Sequence, residues 1–437
     1  MSGENDTRVP AAPDHARNRG TRSSLRCAPS GLRVLAVLPQ LIPSTTMGVV
    51  KPLAALHRAG AIAFDVALES WVSRARIARA DVVVFCRNTE PRFGAALDTA
   101  LALGKRIVYD LDDDLFAMPP DVPGSAYHGD PARRAQLRRY IETASLVRVY
   151  SDGLRARVEP LNPRVRRAPG LIDWHLVASP TPRPTGPLRI VYATSRTTDY
   201  LAAMFVDDLA RVLDAFRGRV EAWFCGYRPR GLAGRADVHA VEFIRDYDQY
   251  TRWFSGSGFD IGLAPLRDDA FHRAKADTKF RDYAASRVAG LYSDVSVYRE
   301  CVVPGETGLL VPPVDGAWRA ALTRLIEDAA LRARIQREAW TAARRRYGLA
   351  QSAASWLADL AAAEPARGLP PGARAAAAPL VDALARGARL VRRGAEALGG
   401  RAPGAVTLGA RLRWHVGSAR ALVRLRRELA RAKAAPG

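Results

Sequence analysis

Short apolar runs alternate with stretches of helical spacing along most of the chain. The first clear run, LRVLAVL at 32–38, follows a polar segment, and a run of the same pattern, LRIVYA, lies at 188–193. Apolar runs of this length, separated by amphipathic segments, are typical of parallel strands joined by helices. The sequence therefore predicts an α/β protein with two Rossmann-like, doubly wound domains.

The individual elements follow from the same pattern. Strands are predicted at 32–38, 62–68, 81–86, 105–111, 146–150, 188–193, 220–225, 238–243, 259–264, 288–292 and 308–311. Helices are predicted at 49–58, 70–79, 93–103, 131–143, 200–216, 247–255, 277–286, 317–329, 331–346 and 349–363. In parallel sheets the ligand binds outside the carboxyl ends of the strands, so the residues that follow each strand are the candidate site.

Composition divides the chain into segments, and the boundary between the domains is placed where four prolines predict a stiff linker. The predicted segments are a disordered tail (1–31), a first domain (32–172), the linker (173–187), a second domain (188–348), a last helix (349–364) and a basic, Ala/Arg-rich helical tail (365–437).

The net charge of +22 is concentrated in the C-terminal tail, where 365–437 hold 15 Lys and Arg against 3 Asp and Glu. An apolar stripe at helical spacing runs through this tail beside Trp414. A basic amphipathic helix with a tryptophan predicts contact with a membrane surface. A solvated tail and a helix that binds a partner are the alternatives. The stripe consists of Leu408, Leu412, Ala419, Leu422, Leu425 and Leu429.

Neither a membrane span nor a signal peptide is predicted. No apolar run approaches the roughly 18 residues that cross a bilayer, and residues 1–30 lack an apolar core. We therefore expect a cytoplasmic protein, with the basic tail on the inner face of the membrane. The four cysteines (Cys27, Cys86, Cys225 and Cys301) lie far apart, which disfavours disulfide and zinc frameworks.

The stretch 259–313 is the centre of the sequence, because two apolar runs in it flank a helical segment at 277–286. Strand, helix and strand at this spacing predict a parallel unit with a ligand at its carboxyl edge. Cations and carboxylates together suit a ligand that has both phosphates and hydroxyls. That edge carries Arg267, Asp268, Asp269, Lys275, Asp277, Lys279, Asp282, Ser293, Asp294 and Glu300.

The segment KADTKFRDYAASRVAGLYSDVSVYRECVVPGETGLLVPP, at 275–313, resembles the donor-binding segment of GT-B glycosyltransferases of the glycosyltransferase-4 type. YSDV at 292–295 and GETGLLVPP at 305–313 carry the likeness best, and a coarser likeness covers about 32–363. The pattern K-x-D-x-K-F-x-x-Y-A-A resembles a bacterial subgroup that builds surface polysaccharide. The resemblance implies an acceptor domain, then a nucleotide-sugar domain, and a last helix that packs back on the first.

The resemblance also implies an activity. Such enzymes transfer a sugar from a nucleotide-diphosphate sugar to a glycan or lipid-linked acceptor, with retention of configuration and without a metal ion. The products in the resembling subgroup are bacterial surface glycans such as lipopolysaccharide, O-antigen and capsule. We therefore expect a nucleotide-sugar substrate, no cofactor and no nucleic-acid partner.

Site residues follow from the resemblance position by position. The donor phosphates are expected to contact Lys279 and Arg196, with Lys275 next, and Asp282 matches a family glutamate that binds the ribose hydroxyls. The other family glutamate falls on Ala274, so its task is either lost or moved, for example to Asp277. The remaining predicted site residues are Gly48, Asp112, Ser293, Glu300 and Thr307.

Two of these positions are only partial matches. The loop after the first strand is glycine-rich in the family, but here only Gly48 is left, and an ordinary strand–helix turn explains the loop equally well. Asp112 falls near a family histidine that faces the acceptor. It belongs to YDLDDDLF at 109–116, whose DxD pattern suits Mg²⁺ or Mn²⁺ in metal-dependent enzymes, so metal binding is the alternative for this motif.

Two further functions compete with sugar transfer. Because Ala274 stands in place of the family glutamate, the protein could instead be a non-catalytic GT-B-like scaffold or a sensor of sugar nucleotides. The basic tail also allows a nucleic-acid-binding function, although no known nucleic-acid module is recognisable. Hydrolase, metalloprotease, kinase and dehydrogenase readings lack their motifs in a suitable context.

Overall fold

The structure is a computed structural model, and it describes residues 31–178, 186–195, 200–365, 418 and 421–431. Three sequence predictions therefore lie outside the described residues. They are the phosphate contact of Arg196, the disorder of the N-terminal tail up to residue 30, and most of the basic tail.

The first domain is built on a parallel sheet of six strands in the order β2-β1-β3-β4-β5-β6. The strands read as continuous apolar runs because helices cover both faces of the sheet. Their bounds are β1 Arg33–Leu38, β2 Ala63–Leu68, β3 Val82–Cys86, β4 Arg106–Asp110, β5 Leu146–Val149 and β6 Val165–Arg167.

The second domain has a parallel six-stranded sheet of its own, in the order β12-β11-β10-β7-β8-β9. The bounds are β7 Leu188–Ala193, β8 Val220–Cys225, β9 Val238–Val241, β10 Ile261–Ala264, β11 Ala289–Ser293 and β12 Leu309–Val311. Two such domains confirm the α/β class that the alternating pattern predicts.

Helices connect the strands in both domains. In the first domain they are α1 Pro43–Thr45, α2 Lys51–Arg58, α3 Arg74–Arg79, α4 Ala95–Ala102, α5 Ser125–His128, α6 Pro131–Thr143 and α7 Asp152–Val158. After the linker they are α8 Val206–Ala215, α9 Tyr247–Gly256, α10 Ala270–Arg273, α11 Thr278–Ala285, α12 Ser296–Arg299, α13 Ala317–Glu327, α14 Ala329–Arg346 and α15 Leu349–Ala362.

The segment after β1 differs from its prediction. A loop is expected up to residue 48, but helix α1 begins at Pro43, and a π-helical turn at Thr46–Val50 continues it into α2. Proline at the first helical position has no N–H to lose, so it starts a helix well. Thr45 closes this turn with a hydroxyl that donates to the Gln40 carbonyl at 2.9 Å.

The last helix, α15, packs on the first domain although it follows the second in sequence. Trp356 and Leu360 are fully buried in the apolar cluster around β1 and α2. The indole of Trp356 donates to the Gly48 carbonyl at 2.7 Å. Arg148, buried in β5, forms an ion pair with Asp359 of α15, and its guanidinium lies 3.9 Å from the Trp356 ring.

A helix at 421–431 in the basic tail also packs on the first domain. Leu422 and Leu429 are buried in the same cluster as α15. The apolar side that would face a bilayer under the membrane prediction is thus covered by the domain along this stretch. Arg424, Arg427 and Arg431 stay on its exposed side.

No helix in the described ranges is both long and apolar enough to span a membrane.

The two domains meet through side chains on either side of the linker. Lys51 of α2 lies 2.7 Å from the carboxylates of both Asp173 and Asp248, which joins the first domain, the linker and α9. The Ser151 hydroxyl donates to the Ala274 carbonyl at 2.8 Å. These contacts hold the carboxyl edges of the two sheets facing each other.

We expect Asp359→Ala to lower the free energy of unfolding by about 3 kcal/mol, because it removes one of the two carboxylates that pair with the buried Arg148 and leaves only Asp110, 3.4 Å away. Denaturant unfolding measures this effect. Glu338→Ala is the control, because its pair with Arg337 is exposed and contributes at most about 1 kcal/mol. Equal losses in the two variants would contradict the buried-pair account.

Candidate donor site between the domains

A cavity of about 310 Å³ lies between the two domains at the carboxyl edges of both sheets. The first domain contributes Pro43, Ser44, Asp112 and Asp113, and the second contributes most of the wall. The second-domain lining includes Tyr192, Phe243, Arg245, Tyr247, Tyr250, Lys275, Lys279, Asp282 and Tyr298. The structure thus brings Lys275, Lys279, Asp282 and Asp112, four of the predicted site residues, to one cavity.

Helix α11 positions Lys279. The side chain lies in the first turn of the helix and is about one quarter exposed to the cavity. Its ammonium lies 3.4 Å from the Asp282 carboxylate and 5.7 Å from the Tyr250 ring. The positive end of the helix dipole and the ammonium therefore act in the same direction at this wall, which favours an anion.

Asp282 lies one turn further along α11, with its carboxylate almost buried. Tyr247 donates a hydrogen bond to one carboxylate oxygen at 2.9 Å, and Tyr250 donates to the other at 3.4 Å. Burial and the nearby Asp282 carboxylate raise the pKa of both phenols well above the ordinary value, so both stay protonated donors. Lys279 and the two tyrosines fix the orientation of this carboxylate.

An ion-pair network crosses the cavity from one domain to the other. Lys275 of the second domain lies 2.8 Å from Asp113 of the first. Arg87, at the end of β3, lies 3.2 Å from Asp113 and also pairs with Asp112. Burial alone would raise the pKa of Asp113, but the charges of Lys275 and Arg87 outweigh it and lower that pKa. Both aspartates therefore face fixed cations.

Arg87 has a backbone conformation that non-glycine residues rarely adopt, with φ of 57°. This turn directs the guanidinium back across the ends of β3 and β4 toward the two aspartates. Strained backbone of this kind is concentrated at binding sites. Arg87 directly follows a predicted strand, where site residues are expected, but its torsion angle and its partners are not visible in the sequence pattern.

Each carboxylate of the DxD motif and its neighbours lies near an arginine or lysine side chain. Asp110 lies 3.4 Å from the buried Arg148 and accepts a hydrogen bond from Tyr150, and Asp114 lies 3.4 Å from Arg157. Among the described residues, no three His, Cys, Asp or Glu side chains lie close enough together to hold a metal ion.

Gly48 lies beside the cavity rather than in its wall. It lines a smaller space of about 100 Å³ together with Asp112 and Tyr150. A Cβ atom at position 48 would lie 2.8 Å from the Tyr150 hydroxyl, which is too close for any side chain without a shift. The glycine therefore leaves room for the Tyr150 hydroxyl against the π-helical turn at Thr46–Val50.

Asp277 faces away from the cavity. Its carboxylate accepts from Arg281 at 2.8 Å and from the hydroxyl of Tyr347 at the end of α14. The residue is buried, and these contacts anchor α11 to α14. In this structure Asp277 therefore does not replace the glutamate that is missing at Ala274.

Three other predicted residues hold loops in place. The Ser293 hydroxyl accepts from the Leu266 N–H at 2.9 Å, which ties the end of β11 to the loop after β10. The Thr307 hydroxyl accepts from the Val303 N–H at 2.8 Å and closes the turn before β12. None of Ser293, Glu300 and Thr307 lines the 310 Å³ cavity.

Glu300 contributes to the contact between the domains. Its carboxylate lies 2.8 Å from the guanidinium of Arg167 in β6. Burial raises the pKa of Glu300, and Arg167 lowers it in part. The residue links α12 to the first domain, so its placement favours a role in domain closure over a contact with the donor.

Ala274 is buried against the first domain and belongs to the apolar cluster around β4 and α6. On the facing helix α7, a Cβ atom at Gly153 would lie 2.4 Å from the Arg273 carbonyl oxygen, so the backbones almost touch. A glutamate at 274 would have no room in this arrangement. The lost family residue and the close approach of the domains are therefore physically connected.

Tyr247 and Tyr250, like Arg87, are site residues that the sequence pattern did not predict. Both lie on a predicted helix, three positions apart, and so on one face of it. Two tyrosines at that spacing are a weak signal, since aromatic residues on one helix face usually belong to the core. Only the tertiary arrangement brings them against Asp282 of α11.

Comparisons with known proteins bear on the fold. No family model matches the chain, and no curated protein matches it in sequence. Among solved structures, HepE of Anabaena, solved with UDP and glucose, has a TM-score of 0.55 at 14% identity, over 76% of this chain and 99% of that one.

Two further solved structures are similar to the same extent. The sucrose-phosphate synthase of Thermosynechococcus elongatus has a TM-score of 0.53 at 13% identity, over 76% of this chain and 100% of that one. The lipopolysaccharide outer core galactosyltransferase WaaB has a TM-score of 0.50 at 12% identity, over 75% of this chain and 99% of that one. Such likeness shows the fold, and the chain has the two-domain GT-B architecture that the sequence predicts. Membership of the glycosyltransferase-4 group stays a prediction.

Glu69 lies at the edge of the first sheet, and its shifted pKa predicts how the stability of the protein depends on pH. Burial raises its pKa from 4.5 to about 7, a hydrogen bond from Asn88 lowers it in part, and Glu90 raises it. A carboxyl whose pKa is higher in the folded state destabilises the fold as the pH rises from its unfolded value through its folded value. The contribution of Glu69 to the stability of the wild type therefore falls between pH 4.5 and about 7.

We expect Glu69→Gln to remove this loss. Relative to its own value at low pH, the variant should gain on the order of 2 kcal/mol over wild type at pH 8, measured by denaturant unfolding at several pH values. Glu142→Gln, on the exposed face of α6, is the control and should show no such trend. A difference between Glu69→Gln and wild type that is independent of pH would contradict the buried-acid account.

Proposed function

We propose that this protein is a glycosyltransferase that transfers a sugar from a nucleoside-diphosphate sugar to an acceptor. One observation carries the proposal: Lys275, Lys279 and Asp282 line one cavity between two facing Rossmann-like domains. Cations and a carboxylate in one cleft suit the phosphates and hydroxyls of such a donor. HepE, which has the same fold, has been solved with UDP and with UDP-glucose.

The two lysines are proposed to hold the diphosphate. Departure of a nucleoside diphosphate builds negative charge on its terminal phosphate, and fixed cations that face this charge lower the barrier. Lys279 has the geometry for this task, because the dipole of α11 adds to its charge. Arg196 keeps the same predicted role, on the resemblance alone.

Asp282 is proposed to bind hydroxyl groups of the donor. Two tyrosines and Lys279 already orient its carboxylate, so it can accept hydrogen bonds without first losing conformational freedom. A ribose or hexose offers adjacent hydroxyls that suit a carboxylate. Asp112 is the first-domain residue proposed to face the acceptor, since it lines the opposite wall of the same cavity.

Donor binding must compete with an internal carboxylate. Lys275 is held by Asp113 in this structure, so a donor phosphate would take over a cation that the first domain now neutralises. This exchange would couple donor binding to the relative position of the domains.

The finer details of the proposal rest on the sequence resemblance. They are retention of configuration, membership of the glycosyltransferase-4 group, an acceptor in bacterial surface glycan synthesis and association with the cytoplasmic face of the membrane. The fold that the chain shares with WaaB, a lipopolysaccharide galactosyltransferase, supports the surface-glycan assignment at the level of the fold.

A non-catalytic sensor of sugar nucleotides is the second candidate function. Ala274 favours it, because the position of a family glutamate is taken up by packing between the domains. The two candidates differ in turnover. Both predict that UDP- or GDP-sugars raise the melting temperature, but only the enzyme releases the nucleoside diphosphate.

We expect Lys279→Ala to reduce the kcat/KM of donor turnover by at least about 100-fold, because a cation that faces the leaving group is lost. Release of nucleoside diphosphate from a panel of UDP- and GDP-sugars measures this effect. Lys105→Ala is the matched control, since Lys105 donates to the Ala78 carbonyl far from the cleft. Wild-type rates in Lys279→Ala would defeat the site assignment, and nucleotide binding without turnover in wild type would favour the sensor.

Transfer is also expected to continue in EDTA. The carboxylates of the DxD motif face arginine and lysine, so the proposed mechanism assigns the leaving group to side-chain cations. Turnover with and without EDTA, measured at saturating donor, is expected to agree within about twofold. Strict dependence on added Mg²⁺ or Mn²⁺ would overturn this mechanism and favour metal binding by the motif.

A further inference from the structure

A second cavity, of about 360 Å³, lies in the first domain at the edge opposite to the donor cleft. It is bounded by Arg33 at the start of β1, by the start of β2, and by Ala80 just before β3. The helix at 421–431, which we call the tail helix, forms its remaining side through Arg426 and Leu429. Because it lies at the amino ends of the strands, this cavity is separate from the proposed donor site.

The tail helix is attached to the domain by specific contacts. The Leu429 carbonyl oxygen lies 3.1 Å from Nε2 of His57 in α2, and Arg426 lies 3.2 Å from Asp65 in β2. Leu422 is buried. The cavity is therefore built jointly by the domain and by the tail, and its chemistry depends on both.

Four arginines line the cavity against a single lining carboxylate. Asp65 is shared by Arg76 at 2.6 Å and Arg426 at 3.2 Å. Arg33 is paired with Asp81 at 2.7 Å. Arg79 is exposed, and within the described part of the chain it makes no ion pair. The lining of this cavity therefore carries a net positive charge.

The excess of positive charge affects the pKa of Arg76. Burial lowers the pKa of Arg76, the Asp65 carboxylate raises it, and the guanidiniums of Arg426 and Arg79 lower it further, so that its net shift is downward. Like charges held this close repel each other, and an anion bound between them would relieve the repulsion.

The surroundings of the arginines are apolar. Val34, Leu35, Phe64 and Leu429 form much of the lining between the charged groups. On the outer side of the tail helix, Val423 is 37% exposed next to the exposed Arg424 and Arg427. An apolar floor, a cationic mouth and a basic outer helix face together match the boundary region of an anionic bilayer better than a small soluble anion.

We propose that this cavity binds the phosphate headgroup of an anionic phospholipid, with the docked tail helix lying at the membrane surface. The inference deepens the peripheral-membrane part of the proposed function and does not depend on sugar transfer. It also revises how the tail would act, because Leu422 and Leu429 pack on the first domain, Leu429 lines the pocket, and the arginines would contact the lipid.

Co-sedimentation of the full chain with vesicles tests the proposal, using phosphatidylcholine alone and phosphatidylcholine mixed with phosphatidylglycerol. We expect binding to the mixed vesicles only. Arg79→Glu should weaken this binding by about 30-fold, since each basic group near an anionic surface contributes about 1 kcal/mol and the substitution changes the charge by two units. Because Arg79 is exposed, the variant should keep the melting temperature of wild type.

Arg217→Glu is the matched control, since it makes the same change in net charge at an exposed position in the second domain. Equal weakening in Arg79→Glu and Arg217→Glu would overturn the proposal and leave only a general attraction of a basic protein. Glycerol 3-phosphate that raises the melting temperature, without vesicle binding, would also overturn it in favour of a soluble phosphate. Donor turnover, measured in parallel, should be unchanged in Arg79→Glu, so failure here is distinct from failure of the transferase proposal.

Discussion

The ion pair between Lys275 and Asp113 joins the two domains at the centre of their cleft. Lys275 would otherwise be a desolvated charge in this cleft, but Asp113 neutralises it, and Arg87 in turn pairs with Asp113. The charge of Lys275 is therefore neutralised without a ligand. An anion that binds Lys275 must replace the Asp113 carboxylate, and this replacement would loosen one of the contacts between the domains.

The remaining contacts between the domains determine how far such loosening can go. Lys51 bridges Asp173 and Asp248, and Glu300 pairs with Arg167, both outside the 310 Å³ cavity. None of these contacts involves Lys275 or Asp113, so a phosphate that displaced Asp113 would leave them intact. A local change around Lys275, with the hinge side held, follows from this distribution of ion pairs more directly than a wide opening of the whole cleft does.

The sequence predicts the strands and the fold well, because fully buried parallel strands leave short apolar runs that alternate regularly with amphipathic segments. It also places Lys279 and Asp282 correctly on one helix face, because helical spacing is local information. It fails where the direction of a side chain depends on distant residues. Asp277 is one position before α11, yet Tyr347, seventy residues further on, turns it away from the cavity. Arg87 and Tyr247 are missed for the same reason.

Ala274, where the resemblance expects a glutamate, lies at the contact between the domains. A family glutamate at this position would need space and solvent, but here the backbone around it lies against Gly153 and the Ser151 hydroxyl of the first domain. Closure at that point therefore excludes the side chain that the resemblance expects. Contacts to a donor sugar must then come from groups that line the cavity itself, and Asp282 with its two tyrosine partners is the carboxylate on the second-domain wall, facing Asp112 across the cleft. If the protein is a transferase, we therefore expect its donor to be bound by residues of α9 and α11.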